Sequence, residues 1–307
     1  MKRLPRQDWF GLATFEPGAG RARAEAPLYL LESVDSTSDF LLGRGAGGVG
    51  RVCVWDGWGW QAPRQQRLSP PATPAAGAVA VARRQTRGRG RMGRTWVSIE
   101  GLLLSWLVPA APTRSAASLA VWAGLVTAIV LREEFGLAVD LKWPNDLLIG
   151  PRKLGGLLLD AARTPTGPRL VAGLGLNLAV ADADLPDDLR GRATSFRIEK
   201  VRVPQPAIVA GAILARFDAE LPSFRADGWP PYLRRFAACD RLRGRRITLA
   251  TGQGPVAGRA AGIDETGALL LRRSDGSVAR LLAGDVHVVD VAERPAGGRV
   301  HGSRARD

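Results

Sequence analysis

Residues 141–160 read LKWPNDLLIGPRKLGGLLLD, and how this stretch is parsed decides the fold. Its apolar runs are short and cut by Pro144, Gly150 and Pro151, the punctuation of strands joined by turns rather than of a helix. The flanking VDLKWPND (139–146) and RLVAGLGLNLAV (169–180) extend the same pattern, so several successive strands are expected. Lys142 and Lys153 can bring positive charge to a phosphate, Asp146 can hold a magnesium ion, and Gly155-Gly156 leaves a strand bare where a ligand must lie. Each residue also has a purely structural reading, as a turn at Trp143-Pro144 and Asn145-Asp146 or as a bulge at the glycines. Taken as a set, they favour nucleotide chemistry.

Upstream, Leu119, Trp122, Ala123, Val126, Ile129, Val130 and Leu131 recur at helical spacing. This predicts one long amphipathic helix over 115–135, with Ser115 as cap and Gly136 as stop. GLLLSWLV (101–108) and AVAVA (78–82) suit buried strands. Between them runs RGRGRMGRTW (87–96), whose glycines let backbone amides approach an anion and whose guanidinium groups bind phosphate or carboxylate in pairs. An arginine–glycine segment can also bind RNA without folding. This one is unrepeated, clamped between apolar strands and closed by Trp96, which argues for a folded ligand loop.

Nearer the N-terminus a strand is expected around Leu28–Glu32, followed by the cap-type residues Asp35-Ser36-Thr37-Ser38. Residues 44–77 are rich in Gly, Pro and Gln and read as an insertion, a disordered or partly ordered surface loop with a short hairpin over Val52–Trp60. The alternative is a flap that contacts a partner protein through Trp55, Trp58 and Trp60. Residues 1–26 read as a lead-in too short for a helix-turn-helix domain, so no DNA-reading module is expected there. Downstream, 208–221 and 230–237 return to helical spacing. From 241 to 292 short strands punctuated by Asp264–Gly267 and Asp275-Gly276 suit a small β-barrel, and 293–307 is a polar tail. GLGLNL (173–178) lacks the third glycine of a dinucleotide fingerprint; Asn177 at its end can bond a nucleotide or complete a turn.

The chain of 307 residues is long enough for about two domains. Two cysteines and two histidines leave too few soft ligands for a zinc site and no disulfide framework. No apolar stretch reaches the length of a membrane span and no secretory signal is evident, so a cytoplasmic protein is expected. The net charge of +14 comes from 39 arginines and four lysines, a skew shared with the Ala, Gly and Pro content that reads as compositional habit. It is therefore discounted as a sign of nucleic acid.

Five motifs in order, Ser36-Thr37, Gln85 with Gly88–Trp96, Lys142–Asp146, Arg152–Gly156 and Gly173–Asn177, make the chain resemble the biotin protein ligases over about Leu28 to Asp290. The resemblance implies a mixed α/β catalytic domain of the biotin/lipoate ligase type over 27–240 and a small C-terminal SH3-like barrel. It implies activation of biotin with ATP and Mg2+, then transfer to a lysine of a biotin carboxyl carrier protein or domain of acetyl-CoA carboxylase or a related carboxylase. The expected enzyme acts as monomer or homodimer, without specific DNA or a membrane.

By the same resemblance, Ser36, Thr37, Ser38 and Gln85 would bind the ureido end of biotin, with Gly88, Gly90, Gly156 and Gly173 around the ligand. Arg89 and Arg91 would order the loop over the adenylate. Trp96, Lys142, Asn145 and Asn177 would serve the nucleotide, Asp146 the magnesium, and Lys153 would bridge the biotin carboxylate and the α-phosphate. Ser38 stands where the family usually has Asn, and the loop after Trp96 is short. A lipoate- or octanoate-handling relative is the nearest enzymatic alternative, a nucleic-acid-binding protein the rival from another class.

Overall fold

The computed structural model describes residues 8–15, 26–56, 59–97, 100–109, 116–164, 167–251, 254–282 and 284–288. Ten strands make one mixed sheet: β1 (Leu28–Val34), β2 (Gly48–Trp55), β3 (Trp60–Gln61), β4 (Gln66–Leu68), β5 (Val79–Ala82), β6 (Gly101–Val108), β7 (Asp140–Lys142), β8 (Asp146–Ile149), β9 (Arg152–Thr164) and β10 (Gly167–Asn177). Their order is β3-β2-β1-β5-β6-β10-β9-β8-β7, with β4 paired to β2. Among the described residues β1 and β5 are the one pair of these strands that runs parallel.

Alternation sorts the side chains between two layers. Val79, Val81, Leu102, Leu104 and Trp106 enter the main core with the long helices α2 (Ala116–Glu133) and α3 (Pro206–Asp227). Ala80, Ala82 and Leu103 face the opposite way, toward the five-residue helix α1 (Thr37–Leu41). The small alanines let α1 sit close to the sheet. Ser36 caps α1, its side chain accepting from Asp39 N at 3.3 Å.

Three expectations need correction. Helix α2 is not amphipathic: Val121 to Leu131 are buried without a break, because the sheet lies on one side and α3 on the other, where Trp122 stacks on Phe224 at 4.5 Å. The cap proposed for it, Ser115, lies outside the described residues. The lead-in also contributes to the core. Phe10, Leu12 and Phe15 are buried in the main cluster, with Asp8 accepting from Gly11 N and Leu12 N.

The third correction concerns 44–77. Much of it is sheet, since β2 pairs with β1 from Gly48 to Cys53. A Cβ on Gly48 would lie 2.5 Å from Ser33 O, and one on Gly50 2.3 Å from Leu30 O, so these glycines permit close strand approach rather than mark a loop. The expected hairpin is present as Trp55 opposite Trp60. Trp60 donates to Phe15 O at 2.7 Å and packs on Phe15, so it is engaged within the fold; Trp58 lies outside the described residues.

After the short helix α4 (Leu233–Ala237), β11 (Arg246–Thr251), β12 (Gly254–Ile263), β13 (Leu269–Arg272), β14 (Val278–Leu281) and β15 (Asp285–Val288) form an antiparallel sheet in the order β14-β13-β12-β11-β15. Asp264 Oδ1 accepts from Thr266 N and Ala268 N and closes the β12–β13 turn, where Gly267 has a φ of +79°. This module is tied to the large sheet through buried Trp143, whose indole donates to Gly267 O at 3.0 Å. No described helix is long and apolar enough to cross a membrane.

At the junction, Asp240 Oδ1 accepts from Leu242 N at 2.9 Å, while Oδ2 is buried without a hydrogen-bond partner among the described residues. Burial pushes this carboxyl above the ordinary aspartate range. The folded state therefore holds the proton more tightly than the unfolded chain, and stability falls as pH rises from about 4 through the folded value. Asp240→Asn removes the buried charge and keeps the acceptor. It is expected to raise stability by about 1 kcal/mol at pH 7 and by less at pH 4. Denaturation midpoints at the two pH values check this, and an equal difference at both contradicts it.

Candidate active site

The floor of the site follows from strand alternation. Leu174 and Leu176 point into the core, so Gly173 and Gly175 must face the other way. Gly175 lies directly opposite Gly156, and Gly173 opposite Leu158 on β9 and Ser105 on β6. A cleft opens over this bare patch. The GLGLNL glycines are thus one face of an antiparallel strand, in agreement with setting aside a dinucleotide fingerprint.

Ser36, Thr37, Ser38, Gln85, Arg89, Gly90, Arg91, Trp96, Asn145, Asp146, Lys153, Gly156 and Gly173 all line this cleft. At one end Thr37 N and Oγ1 both donate to Gln85 Oε1, at 2.7 and 2.9 Å. Thr37 and Ser38 also share hydrogen bonds with Ser105 Oγ at 2.7 and 3.0 Å. Ser105 was missed in the sequence, although the signal is visible: it is the one polar residue of an apolar strand, at an α1-facing position. A Cβ on Gly173 would lie 2.4 Å from Ser38 Oγ.

The arginine–glycine loop is a folded hairpin. Gly90 N donates to Arg94 O at 2.7 Å and Trp96 N to Gly88 O at 3.0 Å, with Met92 and Gly93 at positive φ in the tip. Gly88 does not line the main cleft; it is buried against the returning strand, where a Cβ would lie 2.4 Å from Trp96 O. Arg89 is held by two carboxylates not foreseen from sequence, Asp39 at 2.5 Å and Asp160 at 3.3 Å. The Asp160 Oδ2 contact is within ion-pair distance but outside hydrogen-bond geometry. Burial pushes the Asp160 carboxyl up, against the opposing pull of Arg89. Arg91 reaches the second module, its Nη1 donating to Gly284 O at 3.3 Å.

Lys153 occupies the other end. Its Nζ lies 2.5 Å from Asp146 Oδ1 and 5.5 Å from the centre of the Trp96 ring. Trp96 rests on Gly175, where a Cβ would come within 2.3 Å of the indole, and its Nε1 is buried without a partner among the described residues. Trp96, Asp146 and Lys153 also border a second cleft between the modules. Lys142 and Asn177 line that one, not the first, as do Arg192, Arg241, Arg245 and His287. Nothing in the sequence singled out these arginines among so many. Two predicted nucleotide ligands have structural duties: Asn145 donates to Leu157 O at 2.6 Å and Asn177 to Thr194 O at 3.0 Å.

A small-residue floor with a polar hydroxyl–amide end and a lysine–carboxylate end, set on a mixed sheet beside a small antiparallel module, is the architecture of an acid-activating ligase. Residues 63–177 match the Biotin/lipoate A/B protein ligase family, and residues 243–289 match the Biotin protein ligase C terminal domain. The chain is 31% identical over 288 residues to the bifunctional ligase/repressor BirA of Salmonella typhimurium, covering 91% of this chain and 85% of that protein. It is 34% identical over 213 residues to the biotin--[acetyl-CoA-carboxylase] ligase of Paracoccus denitrificans, covering 65% of this chain and 85% of the relative. The solved biotin protein ligase from Aquifex aeolicus in complex with biotin and ATP superposes with a TM-score of 0.66 at 25% identity, over 85% of this chain and 98% of that one. The chain belongs to the biotin protein ligase family.

Proposed function

We propose that this protein activates biotin with ATP to biotinyl-5'-AMP and transfers the biotinyl group to a lysine of a carboxyl carrier domain of acetyl-CoA carboxylase or a related carboxylase. The observation that carries the reading is the place of Lys153, where the glycine-floored cleft meets the cation-rimmed one. A carboxylate oxygen must attack the α-phosphorus while pyrophosphate leaves, so two anions have to be brought together. Positioned cations serve that step better than a general base. In the second step the carrier amine attacks the acyl carbon and AMP departs, with no covalent enzyme intermediate.

Ser36, Thr37, Ser38 and Gln85 bind the ureido end in this scheme. Because Gln85 Oε1 already accepts twice from Thr37, the ligand would meet its Nε2. Gly90, Gly156 and Gly173 give the ring and chain room, and Gly88 serves by closing the loop. Arg89 and Arg91 order that loop, Trp96 packs by the adenine, and Lys142, Asn145 and Asn177 border the nucleotide. Magnesium ordinarily takes one or two carboxylates plus phosphate oxygens, and Asp146 on the border of both clefts fits that demand. We assign the protein to the cytoplasm, as monomer or homodimer, without specific DNA.

Pyrophosphate exchange should respond to biotin and not to lipoate or octanoate, and streptavidin blotting should detect transfer to a carrier domain. Stimulation by lipoate instead would move the protein to the neighbouring activity. Gly175→Ala, which drives a methyl group into the Trp96 indole, is expected to raise KM for ATP about tenfold. An unchanged KM would remove Trp96 from the nucleotide site.

A further inference from the structure

Lys153 lies where β9 outruns β10, since their ladder ends with Gly155 opposite Leu176. Toward β8 the register slips between Leu147 and Leu148, beside the Leu148–Lys153 pair. On the β10 side the vacant place is filled by residues 192–194: Lys153 N donates to Arg192 O at 2.7 Å, and Thr194 N donates to Lys153 O at 2.8 Å. The backbone of the key lysine is therefore held by a bulged strand pair on one side and by the non-strand segment 192–194 on the other. Something must fix that segment.

Glu199 is placed to do so. Its Oε1 accepts from the fully buried Thr194 hydroxyl and, at 2.9 Å, from Arg152 Nη2, the residue next to Lys153. Its side chain is only 16% exposed, so the pair with Arg152 is poorly screened by solvent. The turn that presents it is closed by Glu199 N donating to Ser195 O at 3.0 Å and by buried Ser195 Oγ donating to Val180 O at 2.7 Å. Glu199, Thr194 and Arg152 border neither cleft.

We propose that Glu199 is a positioning residue for the reaction: through Thr194 and Arg152 it sets the backbone of Lys153, and hence where the ammonium stands between the two clefts. Thr194 O also receives the Asn177 amide, so the same anchor serves the nucleotide side. The inference rests on the role given to Lys153 above.

The test is biotin-dependent pyrophosphate exchange by the full chain. Glu199→Ala is expected to lower kcat about ten- to a hundredfold with little change in the KM for biotin, since an ångström of misplacement costs on that order. Glu199→Gln, which can still accept from both donors, should restore most of the rate. A double-mutant cycle supplies a readout that a merely structural role would not move. Affinity for a non-hydrolysable biotinyl-adenylate analogue should fall with Glu199→Ala in the parent but not in a Lys153→Ala background. If Glu199→Ala does not fold, Thr194→Val, which keeps the volume and removes the hydroxyl, should reproduce the kcat loss. Unchanged kcat, failure of Glu199→Gln to restore it, or equal losses of affinity in both backgrounds overturns the proposal. Parent protein without biotin-dependent exchange overturns the functional reading instead.

Discussion

Lys153→Ala is expected to lower biotin-dependent pyrophosphate exchange by about a hundred- to a thousandfold, the scale on which removing one preorganised electrostatic contact acts. The ammonium sits 2.5 Å from Asp146 and within cation–π range of Trp96, so its position is held from two sides. Truncation does more than delete a cation. It leaves the Asp146 carboxylate facing two incoming anions with its partner gone, which turns attraction into repulsion. Both kcat and kcat/KM should therefore fall, whereas loss of uniform binding alone would raise only KM. Lys153→Arg should recover little, because a planar guanidinium cannot occupy the same point. An alanine variant within about tenfold of the parent would displace Lys153 from the reaction altogether.

The parts of this site that were legible in the sequence are those that strand alternation or local punctuation writes into neighbouring residues. Gly173 and Gly175 alternate with leucines, Ser36 stands in cap position, and the loop glycines flank its arginines, so each could be placed before any fold was known. Contacts between distant segments leave no such trace. Arg89 finds Asp39 and Asp160, 50 and 71 residues away, and no spacing rule connects them. Glu199 is 46 positions beyond Lys153 and escaped notice for the same reason. Strand β2 was misread for a different one: Gly48 and Gly50 speak of loops to a propensity argument, yet they allow β1 to approach where a side chain would collide. Helix α2 deceived through its neighbours, because a helix covered on both sides loses the polar face that the helical-period argument assumed.

Replacing Arg91 by glycine is expected to turn a guarded intermediate into a released one. The Arg91 guanidinium borders the cleft and also donates to Gly284 O of the small module, so in the proposed scheme one side chain would both cover the adenylate and link the loop to a separate part of the fold. Arg89, by contrast, anchors the loop to the large sheet through Asp39 and Asp160. The hairpin in Arg91→Gly should therefore keep its root and lose its far attachment. A hydrogen bond to a charged group is worth roughly 1.5–3 kcal/mol. Biotinyl-5'-AMP should then leave about ten- to a hundredfold faster, since such losses fall mainly on dissociation. A free mixed anhydride acylates any accessible amine, so bystander proteins without a carrier domain should become biotinylated in proportion. Streptavidin blotting of serum albumin incubated with ATP, biotin and either form of the enzyme measures this directly. Arg89→Gly, which frees the root of the loop and leaves Asp160 buried beside Asp39, should instead weaken formation of the adenylate. If Arg91→Gly and Arg89→Gly lose exchange alike and neither labels albumin, the two arginines do not divide the work of the loop in this way.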